Sequence, residues 1–272
     1  MPPHPSPMTP PQSSSQPSPR RSLSQGIIAT LVVLGTLTAC GGTTDDGGHQ
    51  TEPSANAAAK PEPNGGRVGR AAPTSLPDEL PGVGPKTLAQ VPERSRQVLL
   101  VTGEGRDSAR SRAVLYERAA DGDWRPGTSW PAHNALRGWT DKHLVGDLRS
   151  PNGVYALTDA GGLLENPGSK LPYDRSPGFT AFGTGSEGEP LEGSFDYVVA
   201  INYNRKSGTS PLDWTRPMGP ARGGGIWLHV DHGGPTQGCV SLAEHHMRDL
   251  LRALDPAHHP VIVMGDEKSL AR

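Results

Sequence analysis

The residues best suited to chemistry lie between His229 and Cys239, ten positions apart. A cysteine thiol becomes a nucleophile for acyl transfer when a histidine within hydrogen-bonding reach accepts its proton. Gly238 lets the chain approach closely, which leaves the backbone N–H groups of Gly238 and Cys239 free to bind a developing oxyanion. This stretch therefore predicts a Cys–His acyl-transfer site.

A zinc site is the sharpest alternative for the same residues. His229, His232 and Cys239 are possible ligands, and four more histidines follow, at His245, His246, His258 and His259. Because this region has one thiol and the later histidines fall on a predicted helix or the loop after it, we expect no metal. A buried structural cysteine is the other alternative.

A strand and a loop must bring the two residues together. In Ile226–Val230 the alternation places Trp227 and His229 on the face opposite the aliphatic side chains. The loop Asp231–Gln237 contains Gly233, Gly234 and Pro235, and it can return Cys239 toward His229.

A helix is predicted directly after the cysteine. Ser241 and Glu244 form a capping-box pattern, with Ser241 as N-cap. The apolar residues that follow at helical spacing are Met247, Leu250, Leu251 and Leu254, before Asp255 and Pro256 end the run. Cys239 is then expected just before a helix N-terminus, where the helix dipole favours thiolate over thiol.

The rest of the downstream sequence predicts a mainly β fold with one or two short helices. Gly 35 and Pro 29 indicate many turns, and Asp121-Gly122 is a hairpin signal. Strands are predicted at Arg96–Thr102, Arg112–Arg118, Gly153–Leu157, Tyr197–Asn202, Ile226–Val230 and Val261–Met264.

The first third of the chain is not domain-like. Arg20 and Arg21 precede an apolar stretch, residues 26–39, that is short for a membrane span. The end of this stretch and the residue after it, Leu37-Thr38-Ala39-Cys40, resemble the lipobox of bacterial lipoproteins. This resemblance implies export and lipidation of Cys40. We expect a signal segment at 1–39, a lipidated and disordered tether at 40–76, and a catalytic domain at 77–272.

Charge argues against nucleic acid as a partner. Residues 1–39 contain two arginines and no acidic residue, so the remainder holds 24 Lys and Arg against 28 Asp and Glu. A mildly acidic chain without a basic stripe does not favour nucleic-acid binding. If Cys40 carries lipid, Cys239 has no partner for a disulfide within the chain.

Residues 229–242 resemble the signature of the L,D-transpeptidase (YkuD-like) family of bacterial cell-wall enzymes. Thr236-Gln237-Gly238-Cys239 matches the family core, and residues 146–155 resemble its upstream Pro-x-Gly-x-Tyr element. The resemblance implies a β-sandwich without a cofactor. It also implies Cys239 as nucleophile and His229 as base, oriented by a backbone carbonyl, on peptidoglycan stem peptides.

Two positions depart from the family pattern. Gln237 stands where a histidine is common, and Ser241 where Arg or Asn is common. We therefore expect the oxyanion to be stabilised by backbone N–H groups, supported by the Gln237 amide and by Thr236. Arg222 either binds a substrate carboxylate or is an exposed loop cation.

These observations predict an exported, lipid-anchored monomer on the outer face of the cell membrane that cross-links stem peptides. Water in place of the acceptor amine would make it an L,D-carboxypeptidase. A non-catalytic wall-binding lipoprotein and a metal-binding lipoprotein are the remaining alternatives.

Overall fold

The computed structural model describes residues 79–272. The predicted signal segment at 1–39, the lipidation site Cys40 and the tether at 40–76 lie outside the described residues, and the domain start at 77 stays a prediction. None of the helices within 79–272 has the length and hydropathy needed to span a membrane.

The described residues form a mainly β structure with short helices, which confirms the predicted fold class. The helices are α1 (Pro85–Leu88), α2 (Glu244–Ala253) and α3 (Glu267–Leu270). The strands are β1 (Gln97–Gly103), β2 (Arg110–Arg118), β3 (Trp124–His133), β4 (Trp139–Thr140), β5 (Ser150–Pro151), β6 (Gly153–Gly162), β7 (Tyr173–Arg175), β8 (Val198–Ile201), β9 (Trp227–Val230), β10 (Val240–Leu242) and β11 (Val261–Asp266).

Nine of these strands form one sheet that closes on itself. The order is β11-β1-β2-β3-β10-β9-β8-β6-β7, and β11 also pairs with β6. Eight strands thus complete a ring, with β7 attached outside it through β6. The sequence predicted a β-sandwich, and the structure has a single closed sheet in its place. β4 and β5 form a separate parallel pair.

Successive side chains of β1 point to opposite faces of the sheet and pack into two different apolar clusters. Leu99 and Val101 pack into the main cluster, whereas Val98 and Leu100 pack into a second cluster with Leu270 of α3. Because both faces of β1 are covered, it reads as a continuous apolar run rather than as alternating apolar and polar residues.

The helix α2 contributes to the main cluster as predicted. Met247, Leu250 and Leu251 are fully buried in that cluster, and so is Leu254, which follows the helix. Their spacing places them on one face of the helix.

The predicted strands are present with ends shifted by a few residues, but β3, β4, β5, β7 and β10 were missed. β3 follows the predicted Asp121-Gly122 turn and pairs with β2 along its length. Residues 125–129 of β3 are all exposed. A strand with so little buried surface carries almost no apolar pattern in the sequence.

A buried ion pair secures the segment after β8. Arg205 donates from Nη1 to Asp159 Oδ2 at 2.8 Å, and both side chains are almost fully buried, with exposures of 3% and 6%. The same guanidinium donates to the carbonyl oxygen of Thr209 at 2.7 Å, and Gly208 N donates to Asp159 at 2.9 Å. These bonds close the turn 205–210, from which the chain continues toward the site.

We expect Asp159→Asn to lower the free energy of unfolding by about 3–5 kcal/mol, because it leaves the buried Arg205 charge without its counterion. Urea denaturation of the purified chain measures this. Glu165→Gln is the control, since it removes an ion pair with Arg175 whose side chains are 79% and 58% exposed; its midpoint should match the wild type. Equal midpoints for both variants would contradict the role given to the buried pair.

Candidate active site

Cys239 occupies the position directly before β10. β9 and β10 are parallel, with Val240 opposite Leu228 and Ser241 opposite His229. This register places Cys239 beside Trp227, whose backbone N–H donates to the Cys239 Sγ at 3.4 Å. The thiol in turn donates to the carbonyl oxygen of Gly225 at 3.6 Å.

His229 lies in the middle of β9 and is 3% exposed. Its Nδ1 is 2.8 Å from the backbone carbonyl oxygen of Val230, so Nδ1 carries the proton and Nε2 is left as an acceptor. The ring meets Phe195 edge to face at 5.5 Å and stacks on His232 at 5.7 Å. A neutral imidazole held in this way can accept a proton through Nε2.

One cleft contains both residues. It has a volume of about 340 Å³, within the range of small-ligand sites. Within residues 79–272 the hydrogen bonds of the thiol go to Trp227 and Gly225, and none joins it to His229. The thiol must therefore turn from the carbonyl oxygen of Gly225 before it can pass its proton to His229.

Burial keeps both groups neutral in the resting site. It raises the pKa of the Cys239 thiol to about 11, although the hydrogen bond from Trp227 opposes this rise. It lowers the pKa of His229 to about 4. Between these values the site holds a thiol and a neutral imidazole, not a preformed thiolate–imidazolium pair.

The expectation of a thiol activated by a helix N-terminus is wrong. β10 separates Cys239 from α2, whose N-cap is Ala243, without a side-chain cap. Ser241 belongs to β10 and donates its hydroxyl to Asp231 at 2.9 Å. The capping box is therefore absent, because pairing with β9 and β3 holds 240–242 as a strand.

The backbone at the cysteine has two N–H groups that are available to an acceptor. Within the described residues the N–H groups of Gly238 and Cys239 have no hydrogen-bond partner. The Cys239 carbonyl oxygen accepts from Thr236 Oγ1 at 2.7 Å and from Ser150 Oγ at 3.1 Å. Two hydroxyls thus fix the peptide that carries the nucleophile, and Gln237 is exposed at the cleft.

Close packing favours glycine at position 238. A Cβ at this position would lie 3.0 Å from Ile226 Cδ1 and 3.6 Å from His143 Cε1. The backbone φ of Gly238 is not in the left-handed region. Close approach, and not an unusual dihedral angle, explains the glycine.

The structure adds His143, which the sequence did not single out, and places His232, considered above only as a zinc ligand, in the same cleft. His143 and His232 line the cleft, and each faces a carboxylate: His143 Nδ1 lies 3.0 Å from Asp147, and His232 Nδ1 lies 3.2 Å from Glu189. His143 and Asp147 come from a segment about ninety residues before Cys239, so no local spacing points to them.

Arg222 lies beside the cleft without lining it. It ends a 3₁₀ turn, Pro220–Arg222, and Gly223–Gly225, which follow it, form part of the cleft wall. Its charge acts on the buried hydroxyl of Tyr203, where it opposes the rise in pKa that burial causes. Asn204 holds the turn, donating to the carbonyl oxygens of Gly219 at 3.0 Å and Gly223 at 2.6 Å.

The zinc alternative receives no geometric support in this part of the chain. Among residues 79–272, no group of three or more His, Cys, Asp or Glu side chains is placed to hold a metal ion. His229 and His232 stack face to face, and His232 faces Glu189.

A polar cluster lies at the far end of β9 and β10. The Asp231 carboxylate accepts from the Ser241 hydroxyl and lies 3.0 Å from His133 Nδ1. The hydrogen bond with Asp231 raises the pKa of His133, although burial opposes it. Burial alone would raise the pKa of Asp231, but its bonds with His133 and Ser241 lower it overall.

Comparison with known proteins adds little to this geometry. No family model matches the chain, and no curated protein matches it. Its structure is similar to the helical cell shape determining protein Pgp2 from Campylobacter jejuni, with a TM-score of 0.34, 19% identity, and coverage of 62% of this chain and 46% of that one. A point mutant of Pgp2 is similar with a TM-score of 0.35 and 18% identity, and the match covers 64% of this chain and 47% of that one. The chain spans about half the length of these proteins, and at such TM-scores neither fold nor activity carries over.

We expect alkylation of Cys239 to reflect its raised pKa. The thiolate is the reactive form, so the rate with iodoacetamide should keep rising, by about tenfold per pH unit, up to a pH near 11. Mass spectrometry of the peptide that contains Cys239 measures the rate. A rate that levels off below pH 9 would contradict a thiol kept protonated by burial.

The His133–Asp231 pair should make stability depend on pH. Because the folded-state pKa of His133 is raised, its contribution is complete below the unfolded pKa of about 6.5 and is lost as pH rises through the folded value. Urea denaturation between pH 5 and pH 9 should therefore show a decline that His133→Gln removes. An equal decline in that variant would assign the pH dependence to another group.

Proposed function

We propose that this chain is an exported, lipid-anchored cysteine acyltransferase of the L,D-transpeptidase type that cross-links peptidoglycan stem peptides. One observation carries the proposal. Cys239 and His229 line the same cleft, and unpaired N–H groups of Gly238 and Cys239 lie beside the thiol. Nucleophile, base and oxyanion donors are the three parts that acyl transfer through a thioester requires.

The first half-reaction begins from the neutral pair. The thiol leaves the Gly225 carbonyl oxygen and gives its proton to Nε2 of His229 as Sγ attacks the carbonyl carbon of the donor stem peptide. The developing oxyanion takes the hydrogen bonds offered by the Gly238 and Cys239 N–H groups. His229 then returns the proton to the departing D-amino acid as the C–N bond breaks, which leaves a thioester on Cys239.

Starting from neutral groups has a clear energetic consequence. With a thiol pKa of about 11 and an imidazole pKa of about 4, proton transfer within the resting site is strongly unfavourable. It becomes favourable only together with bond formation to the substrate, where the oxyanion and not the thiolate holds the negative charge. The cleft is thus suited to a bound acyl donor and resists reaction with dissolved electrophiles.

The second half-reaction completes the cross-link. An amine from a neighbouring stem peptide attacks the thioester, the C–S bond breaks, and the proton that the amine loses is transferred to the Cys239 thiolate. Attack by water instead would release a shortened stem peptide, which is the L,D-carboxypeptidase outcome. Lipidation at Cys40 would hold the catalytic region at the membrane surface, facing the wall.

Incubation of the full chain with tetrapeptide muropeptides tests the proposal. We expect cross-linked dimers by mass spectrometry. Cys239→Ala should give none, and His229→Asn should lower the rate of dimer formation about 10²- to 10⁴-fold, as expected for loss of a general base. Tripeptide without dimers would assign hydrolysis, and no product from the wild type would refute the enzyme.

Acylation by a carbapenem tests the thiol separately. Because the β-lactam carbonyl is itself an acyl donor, the wild type should gain one carbapenem mass on the peptide that contains Cys239. Glu165→Gln, which changes a distant exposed ion pair, should be labelled at the same rate. A wild-type chain that is never acylated would contradict an activated nucleophile.

A further inference from the structure

The cleft contains a second imidazole that the first half-reaction does not use. His143 is 4% exposed and lies between β4 and β5, far in sequence from Cys239. Its ring packs edge to face on Tyr203 at 5.4 Å. The Tyr203 hydroxyl donates to the His143 carbonyl oxygen at 3.2 Å, so both the ring and the backbone of His143 are fixed.

Asp147 faces Nδ1 of this ring in a charge contact that lacks hydrogen-bond geometry. Its carboxylate accepts from the backbone N–H groups of Leu144 and Arg149, each at 2.9 Å, and Oδ1 lies 3.0 Å from His143 Nδ1. A carboxylate beside Nδ1 keeps the proton on that nitrogen. This favours Nε2 as the acceptor; the Arg149 backbone also interacts with the ring.

Nε2 of His143 lies against the glycine segment 223–225, which the thiol also contacts. His143 Nε2 would be 2.8 Å from a Cβ built on Gly223, and Gly223 has a φ of 65° that also favours glycine. The Cys239 thiol contacts Gly225, two residues along the same segment, and two residues span at most about 7 Å. His143 Cε1 also packs against Gly238, the residue before the nucleophile.

The two imidazoles reach the cleft from different walls. His229 contacts Phe195 and His232, whereas His143 contacts Gly223 and Gly238. A thioester on Cys239 is planar and has two faces. A molecule that reaches the thioester along the Gly223 side of the cleft passes His143.

We propose that His143 is the general base of the second half-reaction, with Asp147 as its positioning residue; this rests on the proposed thioester chemistry. As the acceptor nitrogen bonds to the thioester carbonyl carbon, Nε2 of His143 takes one of its protons. The C–S bond then breaks, and the imidazolium gives that proton to the Cys239 thiolate. Thiol and neutral imidazole are both restored, so no other reactant is needed.

Burial keeps this base available, because it lowers the pKa of His143 even though Asp147 opposes the change. The site also explains a departure noted in the sequence. Gln237, which stands where a second histidine is common in the resembled family, is exposed. A second imidazole is nevertheless present, supplied by a different part of the chain.

Separating the two half-reactions tests the proposal. The full chain is mixed with a tetrapeptide donor and an acceptor stem peptide, and intact-protein mass spectrometry follows the thioester on Cys239 while chromatography follows the dimer. We expect His143→Gln to form the thioester within about twofold of the wild-type rate and to release it about 10²-fold or more slowly. Thioester should therefore accumulate.

Two further variants sharpen the result. Asp147→Asn should also accumulate thioester, because it removes the charge that orients His143. His133→Gln breaks another His–Asp contact of 3.0 Å but lies outside the cleft, so both steps should stay within about twofold of the wild type.

The outcomes distinguish this proposal from the one on which it rests. Release at the wild-type rate in His143→Gln overturns the role of His143. Loss of thioester formation in that variant overturns it as well, because the residue would then act structurally or on the thiol. No thioester in the wild type overturns the proposed function itself.

Discussion

Parallel pairing between β9 and β10 is the constraint on which the site depends. It sets Ser241 opposite His229 and thereby fixes Cys239 next to Trp227. Parallel neighbours usually need a crossover of a dozen or more residues, whereas residues 231–239 make this connection. A left-handed glycine at 233 and a bridge between Thr236 and Ala135 accommodate the short path, so the nucleophile is held by sheet geometry.

The local part of the site was predictable from sequence. His229 on a strand, a glycine-containing loop and Gly238-Cys239 follow one another, so alternation and spacing favour the placement of both side chains in one cleft. The helix signal at Ser241 failed because β9 and β3 compete for the same residues, and three residues of strand leave no periodicity to detect. Strand pairing of residues 240–242 prevents the capping box at Ser241. The helix dipole that was expected to favour the thiolate of Cys239 is therefore not beside the thiol.

The remaining contributions come from distant sequence and were not predictable. Ser150 reaches the Cys239 carbonyl oxygen across 89 positions, and His143 enters the cleft through a turn centred on Asp147. Sequence patterns such as periodicity, capping and turn residues describe neighbours along the chain. Contacts of this range become visible only once the closed sheet brings β4, β5 and β10 together.

Closure of the sheet also determines when the chain can fold during its synthesis. β1 pairs with β11 through Val98 and Val261, and β11 also pairs with β6, so the ring cannot form before residue 261 has left the ribosome. Such long-range pairing slows folding. For much of its synthesis the chain therefore has unpaired strand edges, a state that is prone to aggregation and that chaperones recognise.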